Sequence, residues 1–322
     1  MVKSIFGLCA AICLLASPAA GAEQWPSKII KAYIPYGAGS ATDVVPRTVF
    51  EPLSRELGQP IVVENRVGGG GTIGVAAVAR SEPDGYSILA NSSAHTIAPA
   101  MFGNLPYDAA KDLSGVLMIG SSPNVLIVSS LRPWTSVDEL IVAAKAKPGS
   151  ISFGSSGIGT STHVSAEKFR HRAGFDAVHV PYRGGGEVVT DILGGRIDFY
   201  FCPLSTALPL IRDGQVRALM VSTSKRAIDL PNVPTPPDVG LQGAETAIWY
   251  AIFVPLKTPR VIVDELHSAG TKVLADAGVQ RSLKRLGVEP WPLTPNEIDA
   301  LVVRELAANR ALIQAAGIKL DR

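Results

Sequence analysis

Cysteine is scarce in this chain of 322 residues: only Cys9, Cys13 and Cys202 carry a thiol. A disulfide-held scaffold and a cysteine-ligated zinc finger are both excluded on that ground. An excess of charge of one sign is also missing, since 30 Lys+Arg against 28 Asp+Glu leave a formal net charge of +2. A nucleic-acid binder working through a strongly basic surface would need far more. Charged residues make up 18% and hydrophobic residues 47%, the reverse of a disordered composition. Beyond the first two dozen residues no apolar run approaches the roughly 20 residues of a membrane-spanning helix. The patterns G-x-x-x-x-G-K-[ST], H-E-x-x-H and G-x-S-x-G are absent, so a phosphate loop, a zincin site and a serine-hydrolase elbow lack their usual marks.

At the N-terminus, Lys3 precedes the apolar run Ile5 to Ala16, which gives way to Ser17-Pro18-Ala19-Ala20-Gly21-Ala22. A charge, a short apolar stretch and an A-x-A exit are the order of a secretory signal, with cleavage expected before Glu23. Residues 1–22 are therefore read as a signal peptide and the mature chain as periplasmic. Cys9 and Cys13 leave with the leader, so Cys202 has no internal partner.

From Lys28 onward strand-like and helix-like segments alternate. Ile29 to Ile34, Ile61 to Val63 and Ser87 to Ala90 read as strands, with helices over Thr42 to Leu57 and Thr72 to Arg80. After two adjacent extended runs, Gly115 to Gly120 and Val125 to Ser129, the rhythm restarts. Helices are expected over Val137–Ala146, Ser161–His171 and Glu187–Leu193, and strands over Ile151–Phe153, Ala177–Val180, Ile197–Phe201 and Val216–Val221. A proline- and glycine-rich stretch, Leu230 to Gly243, reads as a linker. One more extended run, Ile248 to Val254, precedes helices over Pro259–Ala277, Val279–Leu286 and Pro295–Ala316, the last capped by Thr294. Such alternation predicts βαβ units and mostly parallel sheets. The middle unit is bracketed by extended stretches, which suggests a chain that leaves one α/β domain, builds a second and returns. The crossings are expected near Gly120–Val128 and Thr246–Val254, and a single continuous sheet is the alternative.

Two loops carry the chemistry. Pro35 to Asp43 runs Pro-Tyr-Gly-Ala-Gly-Ser-Ala-Thr-Asp between the first strand and the first helix, where glycines admit a ligand to the backbone and a helix N-terminus offers free N–H groups to an anion. Simple capping by Ser40, with Asp43 three residues on, is the structural reading of the same residues. Phe153 to His163 repeats the device in the middle unit, and two such loops, one per domain, would close on an acidic ligand from both sides. His163 falls in the first turn of its helix, where it either packs or donates as a neutral ring. Gly69, Gly71 and Gly74 form a G-x-G-x-x-G, but the preceding strand ends too early for a dinucleotide fold, so a backbone turn is expected. His163, His171 and His179 stand eight apart and share no helix face, so no metal site is expected. A hydrolase using Ser155 or Ser156 with His163 is the rival enzyme reading, although no acidic partner is placed.

With these residues in view, the chain resembles the Bug-type, TctC-like extracytoplasmic solute receptors of tripartite tricarboxylate transporters. The resemblance rests on Pro35 to Asp43, Glu64-Asn65-Arg66 with Gly69 to Gly74, Pro83 to Tyr86, Ala144 to Gly149, Gly157 to Thr160 with His163, His179 to Gly184, Leu230 to Thr235, and Pro255 with Thr258-Pro259, in family order over essentially the whole mature chain. It implies a type II periplasmic-binding-protein fold: two α/β domains joined by two crossing strands, with a ligand cleft between them. Domain 1 is placed at 23–123 and 249–322 and domain 2 at 124–248. It further implies a small organic acid as ligand, membrane permease subunits as partners, no cofactor, no catalysis and a monomer. Carried over, the ligand loops fall on Tyr36, Gly37, Ala38, Gly39, Ser40, Ala41 and Asp43, then on Ser92, Ser93 and His95. In the second domain they fall on Ser155, Ser156, Gly157, Thr160 and His163, and on Pro181, Tyr182, Arg183, Gly184 and Gly185. Arg183 stands where the family often has lysine. Glu187 either disfavours a strongly anionic ligand or starts a helix. A receptor that reports to a signalling partner instead of feeding uptake is a further alternative.

Overall fold

A computed structural model describes residues 25–315, so the leader and its cleavage site lie outside the described residues. The first half opens with β1 (Ile30–Ile34), α1 (Ala41–Leu57), β2 (Ile61–Asn65), α2 (Thr72–Ala79), β3 (Ser87–Ser92), α3 (Ala94–Met101) and β4 (Leu113–Ser122). The chain then builds β5 (Asn124–Ser129), α4 (Val137–Ala146), β6 (Ser152–Ser155), α5 (Ser161–Ala173), β7 (Val178–Pro181), α6 (Gly185–Leu193), β8 (Phe199–Pro203), α7 (Leu204–Arg212) and β9 (Val216–Val221). It returns through β10 (Ile248–Pro255) and ends on α8 (Arg260–Leu274), α9 (Ala277–Arg285) and α10 (Pro295–Ala315).

Two separate five-stranded sheets result, in the orders β2-β1-β3-β10-β4 and β7-β6-β8-β5-β9. The single-sheet alternative is therefore wrong. Each sheet is mixed, not mostly parallel: three parallel strands are followed by an antiparallel one, β10 or β5, which the fifth strand flanks. In both sheets the antiparallel strand is the one that has just arrived from the other half. Those two strands are buried along their whole length, as strands covered on both faces must be. Side-chain alternation divides them between two cores. Ile248, Tyr250, Ile252 and Val254 pack on one face of the first sheet, and Trp249, Ala251 and Phe253 on the other. Leu126 and Val128 do the same against Val125 and Ile127 in the second.

The crossing itself is narrow. Ser122 pairs with Ile248, Pro123 follows, and Asn124 opens β5. The Ser222 hydroxyl accepts from the Asn124 N–H at 2.9 Å and donates to the Thr246 carbonyl at 2.8 Å. Ser165 of α5 meets both Thr246 (2.6 Å) and Asn124 (3.1 Å). Both connections between the halves are thus tied together by one set of small polar side chains.

Two helices were not foreseen. In both α3 and α7 a strand passes into a helix with almost no loop between them, and each helix contains a proline, Pro99 or Pro209. The expected helix Pro259–Ala277 stops instead at Leu274. Asp276 starts α9 by accepting from the Gly278 and Val279 N–H groups, a cap that a purely apolar period does not register. Thr294 caps α10 as expected, in a box with Glu297.

Candidate functional site

A cleft of about 270 Å3 lies between the halves. The first half supplies the β1–α1 turn, Tyr36 through Thr42, with Ser92 and Ala94. This turn exists because Gly39 takes a left-handed conformation, φ 81°, with open space where a side chain would project. Asp43 props it from below: its buried carboxylate accepts from the Gly39 N–H (2.9 Å), Asn65 Nδ2 (2.9 Å) and Arg47 Nε (2.8 Å). Burial pushes that carboxyl up, but the bonds from Asn65 and Gly39 and the Arg47 guanidinium outweigh it and hold the group below the ordinary aspartate range. Asn65 also donates to the Tyr36 carbonyl at 2.8 Å. Asp43 therefore shapes the turn without lining the cleft. Ser40 stands at the N-cap of α1, yet its hydroxyl makes no capping bond and has no protein partner although it is shielded from solvent. The capping reading of Ser40 is not what the side chain does.

In the second half, the β6–α5 turn contributes Ser156 and Thr160 to Thr162, and the β7–α6 turn contributes Arg183 to Gly186. Thr160 is the cap here, accepting from the His163 N–H at 3.4 Å and donating to the Gly157 carbonyl at 2.7 Å. The Ser156 hydroxyl bonds the Tyr200 hydroxyl at 2.9 Å, and its N–H donates to Thr162 Oγ1 at 3.0 Å. Burial raises the Tyr200 phenol well above its ordinary value, so it stays protonated. Glu187 accepts from the Arg183 N–H at 3.2 Å, which is a helix-starting role. The N-terminal ends of α1, α3, α5 and α6 thus face one space walled by glycines, hydroxyls and small or apolar side chains, Ala94, Pro203 and Ile248 among them. Arg183 is the one charged side chain among the described residues lining it. Converging helix starts with a single guanidinium favour a small anion.

Several expected site residues lie elsewhere. His95 is 1% exposed, stacks on Phe253 at 4.3 Å and points Nε2 at the Ala109 carbonyl, 3.2 Å away. Burial lowers its pKa to about 4. Ser93 is buried beside it. Ser155 is fully buried and bonds His179 Nε2 at 2.7 Å, while His163 stacks on His179 at 4.1 Å. Burial, reinforced by His163, lowers His179 to about 3. The Ser–His contact in this region is therefore Ser155 with His179, hidden from the cleft, and His163 meets the Gly159 N–H instead, at 3.5 Å. Gly157 and Pro181 flank the lining without joining it, and Tyr182 turns to Asp191, 2.6 Å away. Conversely, Tyr200, Pro203, Thr206 and Ile248 line the cleft and were not foreseen. They come from β8, α7 and the return crossing, where no glycine loop marks them. Gly186, Ser161 and Thr162 adjoin expected loops and could have been read with them.

A larger cavity of about 570 Å3 lies beside β4, between α8 and α9, with Leu117, Leu274, Leu283 and Trp291 in its wall. It is mainly apolar and lacks the converging turns. No group of His, Cys, Asp or Glu able to hold a metal ion occurs among the described residues.

Residues 45–318 match the family described as "Tripartite tricarboxylate transporter family receptor". The protein BugT of Bordetella pertussis is 32% identical over 319 residues, covering 98% of each chain. Among solved structures, Rpa4515 of R. palustris with adipate superposes with a TM-score of 0.87 at 31% identity, covering 92% of this chain and 99% of that one. MatC of Rhodopseudomonas palustris with bound malate gives 0.85 at 28% identity, covering 90% and 100%. The two mixed sheets and their crossings are those of periplasmic binding proteins, and the chain belongs to the tripartite tricarboxylate transporter receptor family.

Proposed function

We propose that this protein is a periplasmic receptor that captures a small carboxylate-bearing molecule between its two halves and delivers it to the permease of a tripartite-type transporter. The observation that carries this reading is the convergence of glycine turns and helix starts from both halves on one cleft with a single guanidinium. Backbone N–H groups and the Ser40, Ser92, Ser156 and Thr160 hydroxyls would hold a carboxylate, and Arg183 would pair a second one. Residues 23–123 with 249–322 and residues 124–248 would act as the two closing domains. That two relatives are described with adipate and with malate supports a carboxylate ligand. The leader Met1 to Ala22 supports export.

The test is to refold the mature protein from denaturant, which strips ligand carried from the cell. Thermal shifts are then measured against mono-, di- and tricarboxylates, aromatic acids, amino acids and nicotinamide-type compounds. Ligand at 100 times its dissociation constant adds about 2.7 kcal/mol, so a carboxylate hit is expected to raise the midpoint clearly. Stabilisation by uncharged compounds alone would remove the anion reading.

A further inference from the structure

The four-glycine run Gly68 to Gly71 is not used by the cleft, yet its backbone is unusual. All four residues have positive φ, from 56° to 137°, a conformation only glycine adopts freely. The run touches the other half of the molecule. A Cβ on Gly70 would stand 2.8 Å from the carbonyl oxygen of Ile158, across the cleft, and 2.9 Å from the ring of Phe102. From the opposite side, a Cβ on Gly159 would stand 3.3 Å from the same ring carbon and 3.4 Å from Ala98. The Phe102 ring therefore lies against two glycines, one from each half: a Cβ at Gly70 would overlap it outright, and one at Gly159 would force it to give way slightly. Phe102 and Ile158 pack on a small apolar cluster that joins α3 and α10 to Val164 of α5. On its inner side Gly70 also accepts from the Tyr36 hydroxyl, at 2.9 Å, and Tyr36 lines the cleft.

We infer that Gly70, Phe102 and Gly159 form a clasp that holds the two halves closed, with Gly70 as the positioning residue linking that clasp to the ligand turn through Tyr36. The inference stands on the contact between the halves and not on the identity of the ligand. Its consequence is that part of the closed population exists without ligand and depends on the missing Cβ at Gly70.

The edges β2 and β7 lie farthest from the crossing strands in their sheets, so a hinge rotation displaces them most. Spin labels on Val62→Cys and Val178→Cys, both exposed, report that distance, while Cys202 is buried and stays unlabelled. Refolded, ligand-free protein is expected to show a short-distance population. Gly70→Asn should abolish it, since asparagine tolerates left-handed backbone but inserts the Cβ. Gly149→Asn is the control, with φ 74° and nothing within 4 Å of the added carbon, and should keep the wild-type distribution. Phe102→Ala, which strains no backbone, should also deplete the short distance. A free protein with no short-distance population overturns the inference, and so does a folded Gly70→Asn protein whose distribution superimposes on that of the wild type.

Discussion

Ser40 carries a hydroxyl shielded from solvent and bonded to nothing in the protein, at the entrance of a helix whose first N–H groups face the cleft. A buried polar group without a partner is costly unless a ligand completes it. Ser40→Ala should therefore weaken ligand binding by about 1–2 kcal/mol, roughly 5- to 30-fold in Kd, while leaving the unfolding midpoint unchanged or slightly higher. Titration calorimetry with the best ligand from the thermal-shift panel checks it, and an unaltered Kd would place the hydroxyl outside the site. Ser156 differs, because its hydroxyl already has Tyr200 as a partner. Glycine and serine positions of this kind are legible in the sequence, since the turn that needs them also displays them. His95 and Ser155 show the limit. Both are polar residues next to a cleft-lining turn, and only packing decides that they turn inward.

At the scale of the element, the β1–α1 turn is held from outside itself. Asn65, at the end of β2, bonds both the Tyr36 carbonyl and Asp43, and Arg47 one helical turn on completes the brace. Asp43→Asn removes the charge that organises three donors and leaves the Arg47 guanidinium without its carboxylate. The expected cost is about 2 kcal/mol in stability, with a weaker Kd because the turn loses its anchor. Urea unfolding and calorimetry on one variant separate the two effects. A variant that loses stability but binds normally would show that the ligand does not need the braced turn. The elements themselves were mostly readable because each strand's apolar run and each amphipathic helix obeys its own period. Helices α3 and α7 were not, because a helix that begins where a strand stops leaves no punctuation, and an internal proline argues against it.

At the scale of the molecule, each half shelters an imidazole, buried in the first and partly exposed in the second. His95 lies in the first half with its pKa lowered to about 4, and His179 in the second, lowered to about 3, burial being the main cause in both. Both folded values lie below the 6.5 of an ordinary histidine. Between pH 6.5 and about 4 the unfolded chain thus binds protons that the native protein refuses, and stability falls as pH drops through that window. Above it their contribution is complete. For His95, almost wholly buried, the limiting slope is about 1.4 kcal/mol per pH unit. Urea midpoints followed from pH 7 to 4.5 should decline, and His95→Phe should be less stable at pH 7 but decline less steeply. Equal slopes in the two proteins would refute the assignment.

The sequence by itself determined the α/β alternation, the restart after β4, the glycine turns that end β1 and β6, and the family, because each is written in residues close together along the chain. It also displayed the four-glycine run without disclosing its use. Only the tertiary structure decided that β10 and β5, each arriving from the other half, enter antiparallel beside β3 and β8, that Ile248 and Tyr200 border the cleft, and that Gly70 meets Ile158. These are contacts between residues tens to hundreds of positions apart, set by which faces the two sheets bury. No local period or turn signal carries that information.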